Sequence, residues 1–269
     1  MKFEVVRASS RHHFNYDITF KDEMDNFYEV LVHEELVLKF RLVVGKVLTE
    51  AEFSDLGKSL DYGKAYSYAT YILASRMYTV KEVRDKLIAR EVREDIIDSV
   101  ISKLFEIGLL DDMRYAGIYV ESQIIKGVKG PDGIRSDLVK KGISETQASA
   151  HVEVYTYKQQ LEAVHKLAQD AIKSNKKYGA RGLMQKLYHT STSKGFDSEV
   201  VSQVLAEFEM NVGEDEILQR ELEKFWHKYS KFSDYEHKQK VTQALARRGF
   251  EYDAISDAYQ IYKEEFYEA

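Results

Sequence analysis

The stretch "VRDKLIAREVREDIIDSV" places apolar side chains at Val83 and Leu87, breaks at Glu91, and resumes at Val92, Ile96 and Val100. Positions four apart share one face of a helix, so the pattern predicts two amphipathic helices joined at the break. The same intervals return at Ile134, Leu138, Gly142, Ile143, Gln147 and His151, and at Val241, Leu245, Gly249, Phe250, Ala254 and Ala258. A further copy, Leu183, Leu187, Gly195, Phe196, Val200 and Val204, has four extra residues before its glycine. The chain is therefore an internal repeat with a period of roughly 50 residues. Glycine just past a helix takes the left-handed conformation, and in a Schellman turn the next residue packs on the one four before the glycine. That geometry pairs Ile143 with Leu138 and Phe250 with Leu245. Thr79–Glu82 ("TVKE") and Ser144–Gln147 ("SETQ") carry the capping-box spacing for following helices. With an upstream amphipathic helix in each copy, such as 65–77 or 112–126, the unit is three helices. Glu91 stands where the other copies have glycine, which predicts either a cost of about 1 kcal/mol or a different turn in the first copy.

The first 60 residues follow another period. "HFNYDITF" puts Phe14, Tyr16, Ile18 and Phe20 on one side of a strand and Asn15, Asp17 and Thr19 on the other. Shorter strands are expected at 2–7 and 27–32, then a short helix over "EELVLKF", with the helical period taking over near Asp61. The expected fold is mainly α: an elongated, curved array of tandem three-helix repeats preceded by a small antiparallel β subdomain. The boundaries read as 1–60 for the β-rich module, then 61–110, 111–156, 157–210 and 211–269 for the repeats. One such unit buries too little surface alone, so neighbours are expected to share cores.

Composition narrows the chemistry. One proline among 269 residues favours long helices and argues against an all-β fold. The absence of cysteine excludes disulfides and thiolate metal sites. No run approaches the roughly 18 apolar residues of a membrane span, and the N-terminus lacks the apolar stretch of a signal peptide. The expectation is a soluble, unprocessed, cytoplasmic protein. Its net charge of −6 is unevenly spread: Gln123 to Lys194 holds 13 Lys and Arg against 6 Asp and Glu. This basic island nominates Lys126, Lys129, Arg135, Lys140 and Lys141 in the second copy, and Lys173, Lys176, Lys177, Arg181 and Lys186 in the third, to meet DNA or an acidic protein groove. A merely solvated helix face is the plain alternative. Tyr178 is a candidate for stacking on a base, although a tyrosine at such a place more often packs in a core.

Other motifs carry less. "GKS" at Gly57–Ser59 imitates the tail of a phosphate loop, but Glu52 occupies the place of the required earlier glycine. His12 and His13 are adjacent and cannot both face one metal from a regular strand, so no metal site is expected. Asp111 and Asp112 are read as caps at the start of the next helix rather than as a Mg²⁺ or proton-sharing pair. Arg76, at a helix end, suits the terminal carbonyls and an ion pair. No nucleophile arrangement stands out, and neither enzyme activity nor a cofactor is expected.

Three stretches, "YILASRMYTVKEVRDKL" (71–87), "LFEIGLLDDMRYAGIYV" (104–120) and "KGPDGIRSDLVKKGI" (129–143), resemble the RecX family of recombination regulators in order and separation. Val83 stands where leucine is common in that family, and Glu91 replaces the usual glycine. The resemblance marks Arg76, Asp111, Asp112 and Gly142 as family-motif positions of structural type. It implies a non-enzymatic protein, monomeric and away from membranes, that binds the RecA recombinase filament on single-stranded DNA and inhibits its ATPase, strand exchange and coprotease activities. Two alternatives stay open: a helical module that binds nucleic acid directly, and a generic helical-repeat adaptor.

Overall fold

The computed structural model describes residues 1–11, 15–208 and 214–268. The chain forms two compact units, Met1–Tyr115 and Ala116–Ala269.

In the first unit β1 (Lys2–Ser10), β2 (Asn15–Asp22) and β3 (Phe27–His33) follow the alternation of the sequence. Phe14 and the pair His12 and His13 lie outside the described residues. A fourth strand, β4 (Val47–Thr49), is too short to show a period and is not predicted by the pattern. The antiparallel sheet has the order β3-β2-β1-β4. One face buries Val5, Ile18, Phe20 and Val32 against Leu42, Leu48 and Leu56, with Phe53 stacked on Phe3 at 3.8 Å. The "EELVLKF" helix is α1 (Glu34–Phe40).

The next helix, α2 (Glu50–Ser75), begins a full ten residues before the helical period becomes legible, at a capping box made by Thr49 and Glu52. Its N-terminal part is polar, and Gly57 and Gly63 interrupt the helix face, which blurs the stripe. Leu56 belongs to the sheet's core. Ala65, Ala69 and Ile72 belong to a second core with α3 (Val80–Ile88) and α4 (Glu94–Glu106). One unbroken helix thus serves two cores and runs straight through residue 60.

From the first unit α5 (Asp112–Lys126) leads on to α6 (Pro131–Lys140), α7 (Glu145–Val152), α8 (Tyr157–Lys173), α9 (Ala180–Ser193), α10 (Ser198–Ala206), α11 (Asp215–Tyr229), α12 (Asp234–Ala246) and α13 (Tyr252–Glu268). From α2 onward the helices fall into consecutive threes behind the small sheet, as the repeat predicts. The last three close around Trp226, Leu245, Phe250 and Tyr259. There His237 is buried, its ring nitrogens 2.8 Å from the Tyr259 hydroxyl and 3.0 Å from the Trp226 carbonyl.

The second helix of each copy ends as the spacing predicts. Ile143 N–H donates to the Leu138 carbonyl at 3.1 Å and Gly142 N–H to that of Val139 at 2.9 Å, the two bonds of a Schellman turn. Gly142, Gly195 and Gly249 have φ of 94°, 84° and 84°. Glu91 does not divert the first copy: it keeps the left-handed turn at φ 59°, with Glu91 N–H on Ile88 and Val92 N–H on Leu87. The hydrogen bonds and the packing of the half-buried Val92 against the core that holds Leu87 outweigh the strain of a side chain at positive φ.

The second helix of a copy also begins in a way the sequence analysis misses. Gly130 N–H donates to the Lys194 carbonyl at 3.0 Å and Asp132 N–H to that of Gly195 at 3.2 Å, so the start of α6 sits on the Schellman turn after α9. Likewise Gly179 N–H donates to the Arg248 carbonyl at 3.1 Å, seating the start of α9 on the turn after α12. A Cβ at Gly133 would collide with the Lys194 carbonyl, and one at Gly182 with that of Arg248. The G-x-x-G spacing of Gly130–Gly133 and Gly179–Gly182 therefore lets two backbones touch.

Candidate functional site

The acidic and cationic motif residues do structural work. Asp111 accepts from Arg114 N–H at 2.9 Å and caps α5, as expected. Asp112 does something else: it accepts from Val80 N–H at 2.8 Å and so caps α3, not its own helix. Burial pushes the Asp112 carboxyl above the ordinary carboxylate range, with Asp111 and Glu82 adding to the rise and the Val80 amide opposing it. Arg76 lays its guanidinium over the Tyr78 ring at 4.0 Å, and the Glu82 carboxylate adds a weaker attraction for its positive charge. The "GKS" segment lies inside α2, where Lys58 is 3.6 Å from Asp55 and the Ser59 hydroxyl donates to the Asp55 carbonyl. Helical geometry leaves no loop to cradle a phosphate.

The nominated cations fall into two groups. In the second copy much of the charge is spent locally. Lys129 pairs with Asp137, which also accepts from the Tyr119 hydroxyl at 2.8 Å. Burial alone would raise the Asp137 carboxyl, but the Lys129 and Tyr119 hydrogen bonds bring it below its ordinary value. Arg135 bridges Asp132 at 3.0 Å and Glu145 at 2.9 Å. Lys126 and Lys140 lie in the last turns of α5 and α6, where cations suit the helix dipole. Lys141 has its ammonium 5.8 Å from the Tyr119 ring centroid.

The third copy gathers its charge. Lys176, Lys177, Lys186 and Lys194 line one cleft of about 480 Å³ between α8 and α9, and among the described residues no carboxylate shares the lining. The buried Leu183 and Leu187 form its floor. The turn that presents the lysines is held by Asn175, whose side chain accepts from Lys177 N–H at 3.2 Å and Tyr178 N–H at 3.1 Å and donates to the Tyr178 carbonyl at 2.7 Å. Tyr178 is half-buried, with Lys186 4.6 Å from its ring, so one ring face is already covered. Lys173, at the end of α8, and Arg181, in the first turn of α9, are exposed and lie outside the lining. Lys194, which the sequence analysis does not nominate, completes the cleft because the extra turn of α9 carries it there. The four extra residues before Gly195 are the signal that could have found it. Four lysines on one lining that holds no carboxylate among the described residues favour an anion with several oxygens, and an apolar floor suits a sugar or base edge beside it.

Among known proteins, the family model described as "RecX, first three-helix domain" matches residues 65–104, and that described as "RecX, third three-helix domain" matches residues 213–259. A protein of Listeria welshimeri named "Regulatory protein RecX" is 33% identical over 258 residues, covering 95% of this chain and 94% of that one. One of the same name from Levilactobacillus brevis is 33% identical over 236 residues, covering 87% and 89%. A solved structure described as "Crystal structure of regulatory protein RecX" superposes with a TM-score of 0.61 at 27% identity, over 75% of this chain and 98% of that one. Another, of RecX from Lactobacillus salivarius, gives 0.50 at 31% identity over 56% and 98%.

Proposed function

This chain belongs to the RecX family, and from that premise we propose that it binds the RecA recombinase filament on single-stranded DNA and lowers its ATPase, strand exchange and coprotease activities. It acts in the cytoplasm without covalent chemistry of its own, as a monomer whose repeats 61–110, 111–156, 157–210 and 211–269 and N-terminal module 1–60 are its working parts. The observation that carries the reading is the carboxylate-free cleft of Lys176, Lys177, Lys186 and Lys194. Those ammonium groups meet the DNA backbone inside the filament, while the other repeats add modest contacts to successive subunits, so binding to filaments is avid and binding to free subunits weak.

The test is recombinase ATPase and strand exchange on single-stranded DNA, with this protein well below one molecule per recombinase subunit. Wild type is expected to suppress both, and Lys176→Glu/Lys177→Glu to lose most of that effect. Lys140→Glu/Lys141→Glu is expected to lose less, since its neighbourhood is already charge-paired. No suppression by wild type, with salt-sensitive DNA binding intact in the absence of recombinase, would transfer the cleft to a direct nucleic-acid-binding module.

A further inference from the structure

The final helix triad departs from the first and third in one stripe. In the first copy the paired positions Ile96–Ile97 and Val100 of α4 are buried, and in the third so are Val200–Val201 and Val204–Leu205 of α10. The corresponding pairs of α13 are Ala254–Ile255 and Ala258–Tyr259. Ile255 and Tyr259 are buried, but Ala254 is exposed and Ala258 only half-buried. Where the first and third copies fill the space with branched side chains, the alanines leave a groove of about 780 Å³ between α11 and α13; the second copy has the polar Gln147 and His151 at these positions. The buried Leu218 and Leu222 lie at its base, and the exposed Ile261 stands on its lining. Its rim carries four carboxylates, Asp215, Glu216, Glu223 and Asp257. Among the described residues, the one cation on the lining is Arg220, which is turned toward the Lys176 carbonyl and donates to it at 2.6 Å.

We propose that this groove between α11 and α13 receives an amphipathic helix of a protein partner, whose branched apolar side chains occupy the space above Ala254 and Ala258 and whose flanking Lys and Arg meet the four carboxylates. Small residues where neighbours have large ones make an open slot instead of a closed core. A groove with apolar residues along its length and a charged rim is read by anchors one turn apart on a helix, and the sign of the rim selects a basic helix over an acidic one. The groove shares no lining residue with the lysine cleft and is opposite to it in charge, so it does not depend on the recombinase reading.

The probe is a fluorescein-labelled helix of two tandem Lys-Leu-Ala-Lys-Leu-Ala-Lys segments, with a scrambled peptide of equal composition and a glutamate-for-lysine peptide as controls, titrated against the full chain by anisotropy. Saturable binding of the amphipathic lysine peptide is expected, weakened about tenfold in each control. Ala254→Val/Ala258→Val, which restores the valines of the third copy, is expected to weaken binding about tenfold while melting at or above wild type. Asp215→Asn/Glu216→Gln/Glu223→Gln/Asp257→Asn is expected to do the same through charge, and it decides alone should the valine variant melt early. The proposal is overturned by absence of saturable binding, by equal binding of the scrambled peptide, or by affinity indifferent to both variants.

Discussion

Thr79–Glu82 in the first copy and Gly130–Gly133 or Gly179–Gly182 in the next two stand at the same distances before the first apolar anchor of their helices. In the first copy the helix start is closed from inside its own unit: Thr79 and Glu82 form a capping box, and Asp112 takes the amide of Val80. In the other two the free amides are given to the Schellman turn of the following copy. The amides of a first turn must find acceptors somewhere, and the choice between T-x-x-E and G-x-x-G decides where. The residue after each N-cap extends the comparison. Val80 N–H is taken by Asp112, and Ala180 N–H by Glu214, each at the start of the next three-helix set. The second copy has Pro131 there, which carries no N–H, so its next helix begins with the capping box of Thr156 and needs no such acid.

The comparison breaks most sharply at the glycines. Gly133→Ala or Gly182→Ala forces a methyl into a carbonyl that belongs to backbone, so the turn and helix must separate. A loss of about 3 kcal/mol is expected for the second unit. The only tryptophan, Trp226, is buried in that unit's last core, so urea titration followed by its fluorescence reads the effect. An unchanged midpoint would show that the two backbones do not bear on each other.

A smaller effect tests the first copy's self-contained cap. Asp112→Ala leaves the part-buried Val80 amide without its acceptor and is expected to cost the first unit about 1 to 2 kcal/mol, whereas Asp112→Asn keeps an oxygen there and costs less. The raised carboxyl fixes the sign of the pH dependence. The folded state holds this proton more tightly than the unfolded one, so the contribution is largest in acid. It declines as pH rises from 3.8 through the raised folded value. Denaturation midpoints of the first unit, followed by hydrogen exchange, are expected to fall over that interval in wild type relative to Asp112→Asn. A parallel pair of curves would remove Asp112 from the cap.

What the sequence makes legible is what neighbours within a few residues decide. The intervals from Val83 to Val100 name a helix, its stop and the next start, because stripe, left-handed residue and cap are all local. The seat of Gly130 on Lys194 is decided by a turn far along the chain, and only the recurrence of G-x-x-G in two copies hints at it. The same limit governs the basic residues. Lys129 and Lys176 look alike in sequence, yet Asp137 reaches the first while the second joins a lining without carboxylates. The early start of α2 is hidden for another reason: it serves two cores in turn and shows neither face for long.

The smallest expected effect concerns the position where the first copy departs from the rest in identity but not in geometry. Glu91 holds φ 59° and makes the same pair of turn hydrogen bonds as Gly142, so the turn itself does not require glycine. What glycine relieves is the contact between a Cβ and the adjoining carbonyl in the left-handed conformation, partly offset by the greater freedom it gives the unfolded chain. Glu91→Gly is therefore expected to stabilise the first unit by about 0.5 to 1 kcal/mol with no change in its hydrogen-exchange pattern beyond that turn. Gly142→Glu, its mirror in the second unit, is expected to destabilise by a similar amount. If the two substitutions fail to oppose each other, the copies differ in how their turns are supported, and the likeness of their hydrogen bonds is not a likeness of energy.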